Sequence, residues 1–257
     1  MEGVIVSSIV ILGKGKSLLR CTKQYVDSFD KVSFVNLLRV SGFEKHISDR
    51  CDYLFLQTNG KLGYMARDKR ISWESADTWD DRRYYINNEL GIKRIFNLST
   101  HAEDTISKFL DKDIEYDLSF RRRTLKETSW EDASVPEKNW YPPAGLVALE
   151  YFLNKGYDKI SLVGLDFYQV ADELDAQDIY NHYYFLDRND KNESAINQTG
   201  EDPNNIQYNN SEFEPHDPKK QIDYVITQVK QNPDIEFEIY TNCLKIKKQN
   251  LKNLKVL

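Results

Sequence analysis

The sequence predicts an α/β protein: a three-layer α/β/α sandwich on a mainly parallel sheet, with a lid inserted late in the chain. Three observations carry this. Short apolar, β-branched runs recur and are separated by stretches of helical period, the alternation that builds parallel sheets. The runs are apolar at successive positions rather than at every second one, as strands covered on both faces are. One long polar stretch, 170–214, breaks the alternation directly after such a run, which is where lids are inserted.

Composition sets the bounds. The 257 residues suit one domain, and 40% hydrophobic with 30% charged residues is an ordinary globular profile. A net charge of −6 argues against nucleic acid as a partner, because phosphate contacts need a basic surface. Cys21, Cys51 and Cys243 are odd in number and form no C-x-x-C, which argues against a disulfide framework or a zinc ribbon and for a reducing cytoplasm. No apolar run is long enough to span a membrane. The apolar N-terminus lacks a basic n-region and reads as a strand, not a signal peptide. No internal repeat is evident.

Residues 5–12 read as a buried first strand. It runs into Gly13-Lys14-Gly15-Lys16-Ser17-Leu18, with a helix expected from about Ser17. Backbone N–H groups in such a turn can face a phosphate, and a helix N-terminus favours an anion. A plain tight turn fits equally well. Two named motifs are excluded: a P-loop would need its leading glycine where Val10 stands, and a dinucleotide fingerprint its third where Leu18 stands.

Residues 31–36 form a second strand ending in Asn36, and 50–57 contain a third, followed by Thr58-Asn59-Gly60. Asn36, Gln57 and Asn59 at strand ends can hydrogen-bond a base or ribose, or satisfy their own turns. A helix is expected over 80–90, capped by Gly91, then a strand over 93–97 and a helix over 101–110. Asp111-Lys112-Asp113 has the letters of a metal-binding D-x-D, but in a charged run at a helix end it reads as a solvated terminus. Arg121-Arg122-Arg123 is a basic patch, either anion-facing or simply exposed. Residues 124–141 lack periodicity and read as an ordered loop.

Residues 142–169, PPAGLVALEYFLNKGYDKISLVGLDFYQ, are the stretch with the clearest signals. Leu146, Leu149, Glu150, Phe152 and Leu153 mark a helix over 144–155, and Gly156 stops it. KISLV at 159–163 is a buried strand, ending in Gly164-Leu165-Asp166-Phe167-Tyr168. In an open parallel sheet the carboxyl ends of strands line the ligand crevice. That makes Ala144, Gly145, Asp166 and Tyr168 ligand-facing candidates, against the alternative of a core helix and strand with nothing bound.

Beyond the polar stretch, read either as a lid with a short helix over 178–186 or in part as a disordered surface loop, comes His216. An amphipathic helix follows over 219–230, with Ile222, Val225, Ile226 and Val229 inward, and then a strand over 236–240. The tail, 244–257, alternates Leu or Ile with lysines. It docks on the domain or lies on an anionic membrane surface; docking is favoured.

These residues resemble the bacterial sialyltransferases of glycosyltransferase family 42. That family opens with a strand and G-N-G-P-S-L, matched by Gly13 to Leu18, and its second strand ends in Asn, as at Asn36. Its central block, T-S-G, a helix and G-Y-K-E-I-Y-L-S-G-I-D-F-Y-Q, is matched without a gap by Gly145, Gly156-Tyr157, Gly164, Asp166, Phe167, Tyr168 and Gln169. A histidine and a helix follow the family's lid, matched by His216 and Ile222. The likeness covers most of the chain in order and is thinnest in the lid.

The resemblance implies a Rossmann-like, GT-A-like sialyltransferase fold: 1–169 with 215–257 as the nucleotide-sugar-binding domain, and 170–214 as the lid. It implies metal-independent, inverting transfer of sialic acid or a related nonulosonate from a CMP-sugar to a glycan acceptor, with no cofactor. Gly13, Lys14, Gly15 and Ser17 would contact the nucleotide, and Asn36 with Gln57 and Asn59 would hold the donor. Gly145 would let the backbone approach the cytidine or phosphate. Tyr168 would hydrogen-bond the leaving phosphate, and His216 would be the general base. Five departures stand out. Lys14 and Lys16 replace the family's Asn and Pro, Pro143-Ala144 replaces Thr-Ser, Tyr141 replaces an Arg, and Leu174 replaces a second phosphate-binding tyrosine, for which Tyr180, Tyr183 or Tyr184 can substitute. Two alternatives stay open: a transferase using another nucleotide sugar, and a nucleotide- or glycan-binding protein that has lost catalysis. The expected setting is the cytoplasm. Peripheral contact at the inner membrane face through the basic tail, and a homo-oligomer, are both admitted.

Overall fold

Ser8–Leu12, SIVIL, has no residue that demands solvent beyond its first serine, and every later position is buried. Ile9 and Ile11 enter one apolar cluster, Val10 and Leu12 another. Successive strand side chains point to opposite faces, so this one strand requires cover on both. The computed structural model describes residues 7–13, 15–36, 38, 43–56, 91–98, 115–117, 143–165, 218–241 and 243–257.

Among these residues the strands form one eight-stranded sheet. In chain order they are β1 (Ser8–Leu12), β2 (Lys31–Val35), β3 (Tyr53–Leu56), β4 (Arg94–Asn97), β5 (Glu115–Asp117), β6 (Lys159–Val163), β7 (Glu236–Ile239) and β8 (Leu254–Val256). Their spatial order is β5-β4-β3-β2-β1-β6-β7-β8, and every pairing is parallel. β6 lies inside the sheet, paired with β1 from Ser8↔Lys159 to Leu12↔Val163 and with β7 on its other side. The expected parallel α/β/α sandwich is what forms.

One face is covered by α2 (Ala144–Lys155) and α3 (Pro218–Gln231), the other by a 3-10 turn (Lys16–Arg20) and α1 (Lys23–Asp27). The helix expected from Ser17 is therefore corrected. Cys21 is extended (φ −81, ψ 153) and ends the 3-10 turn, and a new helix starts where the Thr22 hydroxyl accepts the Tyr25 N–H at 3.2 Å. α2 matches its expected bounds, ending where Gly156 takes a left-handed conformation (φ 73). It carries Phe152 and Tyr151 onto Tyr53, Phe55 and Phe96; the Phe55–Phe96 and Phe96–Tyr151 ring centroids are 4.5 and 4.7 Å apart. Truncating the fully buried Phe152 to alanine would cost about 3–5 kcal/mol.

The tail docks. Ile246, in the short helix α4 (Leu244–Lys247), is fully buried, and β8 extends the sheet beside β7. The Asn253 side-chain amide donates to the carbonyls of Val229, Asn232 and Ile235, at 2.9–3.1 Å, closing the end of α3. Arg20 donates to the Leu257 carbonyl at 2.7 Å, fastening the tail to the 3-10 turn. The expected elements over 80–90, 101–110 and 178–186, and the lid at 170–214, lie outside the described residues.

On the α1 face, the apolar pattern is interrupted by one polar group of residues. Glu238 on β7 is 2% exposed and accepts the Tyr25 hydroxyl at 2.5 Å; Lys255 and Lys159 reach its other oxygen at 2.9 and 3.1 Å. Burial pushes the Glu238 carboxyl up, but Tyr25, Lys255 and Lys159 outweigh it and hold it below its ordinary value. Burial and that carboxylate push the Tyr25 hydroxyl up, so it stays a donor.

Candidate nucleotide-sugar site

The strand order locates the site before any side chain is considered. The chain leaves β1 in one direction through β2 to β5, returns to the other side of β1 as β6, and continues to β7 and β8. The β1/β6 junction is thus the topological switch point, and ligands of open α/β sheets bind outside the carboxyl ends of the strands there. Gly13, Gly15 and Ser17 follow β1, Gly164 and Leu165 follow β6, and Asn36 follows β2. α2 and α3 each lead directly into a parallel strand, so their N-termini lie at this same end.

The structure draws several of these residues together. The Gly13 N–H donates to the Val163 carbonyl at 2.7 Å, and the Gly15 N–H to the Gly164 carbonyl at 2.8 Å. The Gly164 N–H donates to the Ser17 Oγ at 3.1 Å. Gly164 has φ +70, and a Cβ there would meet the Gly13 carbonyl oxygen at 2.5 Å. Ser17 is 1% exposed, so its hydroxyl is spent inside the protein, holding the two loops in register. Leu165 then fills the space that Gly145 leaves: a Cβ on Gly145 would stand 2.7 Å from Leu165 Cδ2. Gly145 is buried within the first turn of α2. Gly164 and Leu165 are the residues that sequence reasoning undervalued. Gly13 and Gly164 are each visible as a glycine after a strand, but their contact with each other is not.

Asn36 ends β2 in the left-handed region (φ 59), where asparagine is among the few side chains that fit well. Its N–H donates to the Phe55 carbonyl at 2.8 Å. Ala144 opens α2. Its cap residue is Pro143, which supplies no side-chain acceptor, and the first turn holds no acidic residue. The leading N–H groups of a helix have no acceptor within it and carry partial positive charge, so this end favours an anion. α3 opens on Pro218 with no acidic residue in its first turn. Lys14, Gln57, Asn59, Asp166, Tyr168, Tyr180, Tyr183 and His216 lie outside the described residues.

The described residues also bear on other chemistries. Burial pushes the Cys21 thiol up to about 12 and the Cys51 thiol higher still, so neither is a ready nucleophile. No group of three His, Cys, Asp or Glu among them is placed to hold a metal ion. No helix among them is long and apolar enough to cross a membrane. An open depression at Pro233, Asp234, Glu236, Lys252 and Lys255 lies at the amino ends of β7 and β8, opposite the switch point.

Comparison with known proteins returns the same architecture. No protein-family model matches the chain, and no curated protein matches its sequence. Solved structures do match. An alanine variant of the sialyltransferase CstII, crystallised with CMP, aligns over 98% of this chain and 86% of its own, with a TM-score of 0.50 and 14% identity. Monomeric CstII aligns over 97% and 88%, with the same score and identity. The monofunctional α-2,3-sialyltransferase Cst-I of Campylobacter jejuni aligns over 93% and 79%, at 0.46 and 14%. At this identity the two alignments that score 0.50 establish a shared sialyltransferase-type α/β fold.

Proposed function

We propose that this protein is a metal-independent, inverting glycosyltransferase that moves sialic acid, or a related nonulosonate, from a CMP-sugar to a hydroxyl of a glycan acceptor. The observation that carries the reading is the meeting of the Gly13–Ser17 loop, Gly164-Leu165 and the α2 N-terminus at the switch point of a fold shared with CMP-binding sialyltransferases. The acceptor hydroxyl attacks the anomeric carbon, the bond from that carbon to the phosphate oxygen breaks, and CMP leaves as an anion. His216 takes the acceptor proton, as an imidazole near neutral pKa can. The Tyr168 hydroxyl and helix N–H groups stabilise the leaving phosphate. Residues 170–214 close over the donor, and Asn36, Gln57 and Asn59 hold it.

A second reading has an observation in its favour. Pro143 and Ala144 stand at the mouth of α2 where the related family carries two hydroxyls, and the helix is left without a side-chain cap. This favours a protein of the same fold that binds a nucleotide or glycan without turnover, or one that uses another donor. The setting we infer is the cytoplasm. The exposed Lys247, Lys248 and Lys252 of the docked tail support peripheral contact with an anionic membrane face, and a homo-oligomer remains part of the proposal. The test is turnover with a panel of CMP-nonulosonates, beside thermal shifts with CMP, CDP, UMP, UDP and GDP. Stabilisation by CMP with release of CMP from a CMP-sugar is the expected result. Stabilisation without release selects the binding protein, and indifference to every nucleotide overturns the transferase and leaves a glycan-binding protein of the same fold.

A further inference from the structure

Gln221 stands in the N-terminal part of α3, at the carboxyl end of the sheet. It is 3% exposed, and its side-chain amide nitrogen lies inside the protein with no hydrogen-bond partner. Native proteins rarely leave such a group unpaired, because its lost hydration is then uncompensated. Its location is specific. Three residues on, the Tyr224 hydroxyl donates to Glu150 of α2. Residues three apart share a helix face, so Gln221 lies in the same α2–α3 seam, one turn nearer the ends that carry Ala144, Gly145 and Pro218. Two further buried atoms without a hydrogen bond have no such setting: the Ser33 hydroxyl is in the body of β2, and the Arg50 Nε, before β3 at the amino end of the sheet, faces the Asp52 carboxylate at 3.7 Å.

We propose that Gln221 is a ligand-binding residue whose amide donates a hydrogen bond to an anionic oxygen of the bound nucleotide sugar, between the N-termini of α2 and α3. The proposal rests on the nucleotide-sugar reading above. Two sources supply such an oxygen, the phosphate and the sugar carboxylate. The competing explanation is an internal water, to which ligand binding would be indifferent.

The experiment compares the full-length wild type with Gln221→Leu and Gln221→Glu. Leucine keeps the volume and removes the donor; glutamate keeps the shape and sets a carboxylate against the anion. Unfolding without ligand is measured first, then the Kd for CMP and the KM for CMP-sialic acid at pH 8. Gln221→Leu should melt no lower than wild type, since it removes an unpaired buried group, and should bind about ten- to a hundredfold more weakly, the scale of one lost hydrogen bond to a charged group. Gln221→Glu should be weaker still. Weakening toward CMP and the CMP-sugar alike assigns the phosphate; weakening toward the CMP-sugar alone assigns the carboxylate. If Gln221→Leu does not fold, Gln221→Glu decides by itself. Wild-type affinity in the folded variants overturns this inference alone, while a wild type that binds neither ligand overturns the nucleotide-sugar reading and this inference with it.

Discussion

Gly13 and Gly164 exclude side chains from each other. A Cβ on Gly13 would lie 2.4 Å from the Gly164 carbonyl oxygen, and one on Gly164 would lie 2.5 Å from the Gly13 carbonyl oxygen. Two strand-end loops, 151 residues apart in sequence, are thereby pressed backbone to backbone at the switch point. Gly13→Ala should therefore destabilise by about 1–3 kcal/mol, the cost of overpacking. Gly164→Ala should add about 1–2 kcal/mol for a side chain in the left-handed region. Gly91→Ala, with φ +57 and nothing within 4 Å, should cost only the second amount. Urea unfolding of the three variants checks the order, and equal losses would remove the contact from the explanation.

Glu238 gives a dependence on acid. Its folded pKa is held below the ordinary 4.5, so the stability it contributes is complete above that value and is lost as pH falls through the folded pKa. Glu238→Gln should lose about 1–3 kcal/mol at pH 7, where a buried charged partner is removed from Tyr25, Lys159 and Lys255. Because the variant has no carboxyl to protonate there, its stability should fall less steeply than wild type below pH 4.5. Denaturant titrations at pH 7 and in steps below 4.5 measure both effects.

Tyr168→Phe should lower turnover about ten- to a thousandfold, the scale of one lost donor to a developing anion. CMP-sugar kinetics test it. Full activity in the variant would reduce Tyr168 to packing and send the search to Tyr180 or Tyr183.

His216→Ala should abolish transfer and leave the Kd for CMP nearly unchanged, because the base touches the acceptor and not the nucleotide. A general base of this kind contributes about a hundred- to ten-thousandfold. In the wild type, kcat should fall at acid pH with a midpoint near the ordinary histidine value of about 6.5, moved upward where Asp217 favours the imidazolium. Normal turnover in His216→Ala ends the assignment.

Chelation should leave turnover intact. EDTA-treated enzyme is assayed with and without added magnesium or manganese, and a loss restored by either metal would bring Asp111 and Asp113 forward as ligands.

Much of the fold was legible because its signals are local. The 3.6-residue period over 144–155 and the glycine behind it specify α2 and its end at Gly156; the run at 159–163 specifies β6. The tail's short strand was less legible, since Leu254-Lys255-Val256 makes a strand only by pairing with β7. The start of α1 is not legible, because a 3-10 turn and an α-helix share their apolar spacing over five residues and the Thr22 cap decides between them.

By itself, then, the sequence determined β1 to β4, β6, β7, α2 and α3, which of their faces are apolar, and that glycines and small polar residues gather at strand ends. Those properties depend on neighbours a few positions away. The tertiary structure alone decided the strand order that makes β1 and β6 the switch point. It also decided that Gly13 needs Gly164, that Ser17 spends its hydroxyl on a loop 147 positions distant, and that Glu238 is held by Tyr25 across 213 positions. It alone left the Gln221 amide without a partner in the seam between α2 and α3. No local pattern encodes such pairings, because a hydrogen bond or a steric limit depends on which distant atom occupies the adjoining space.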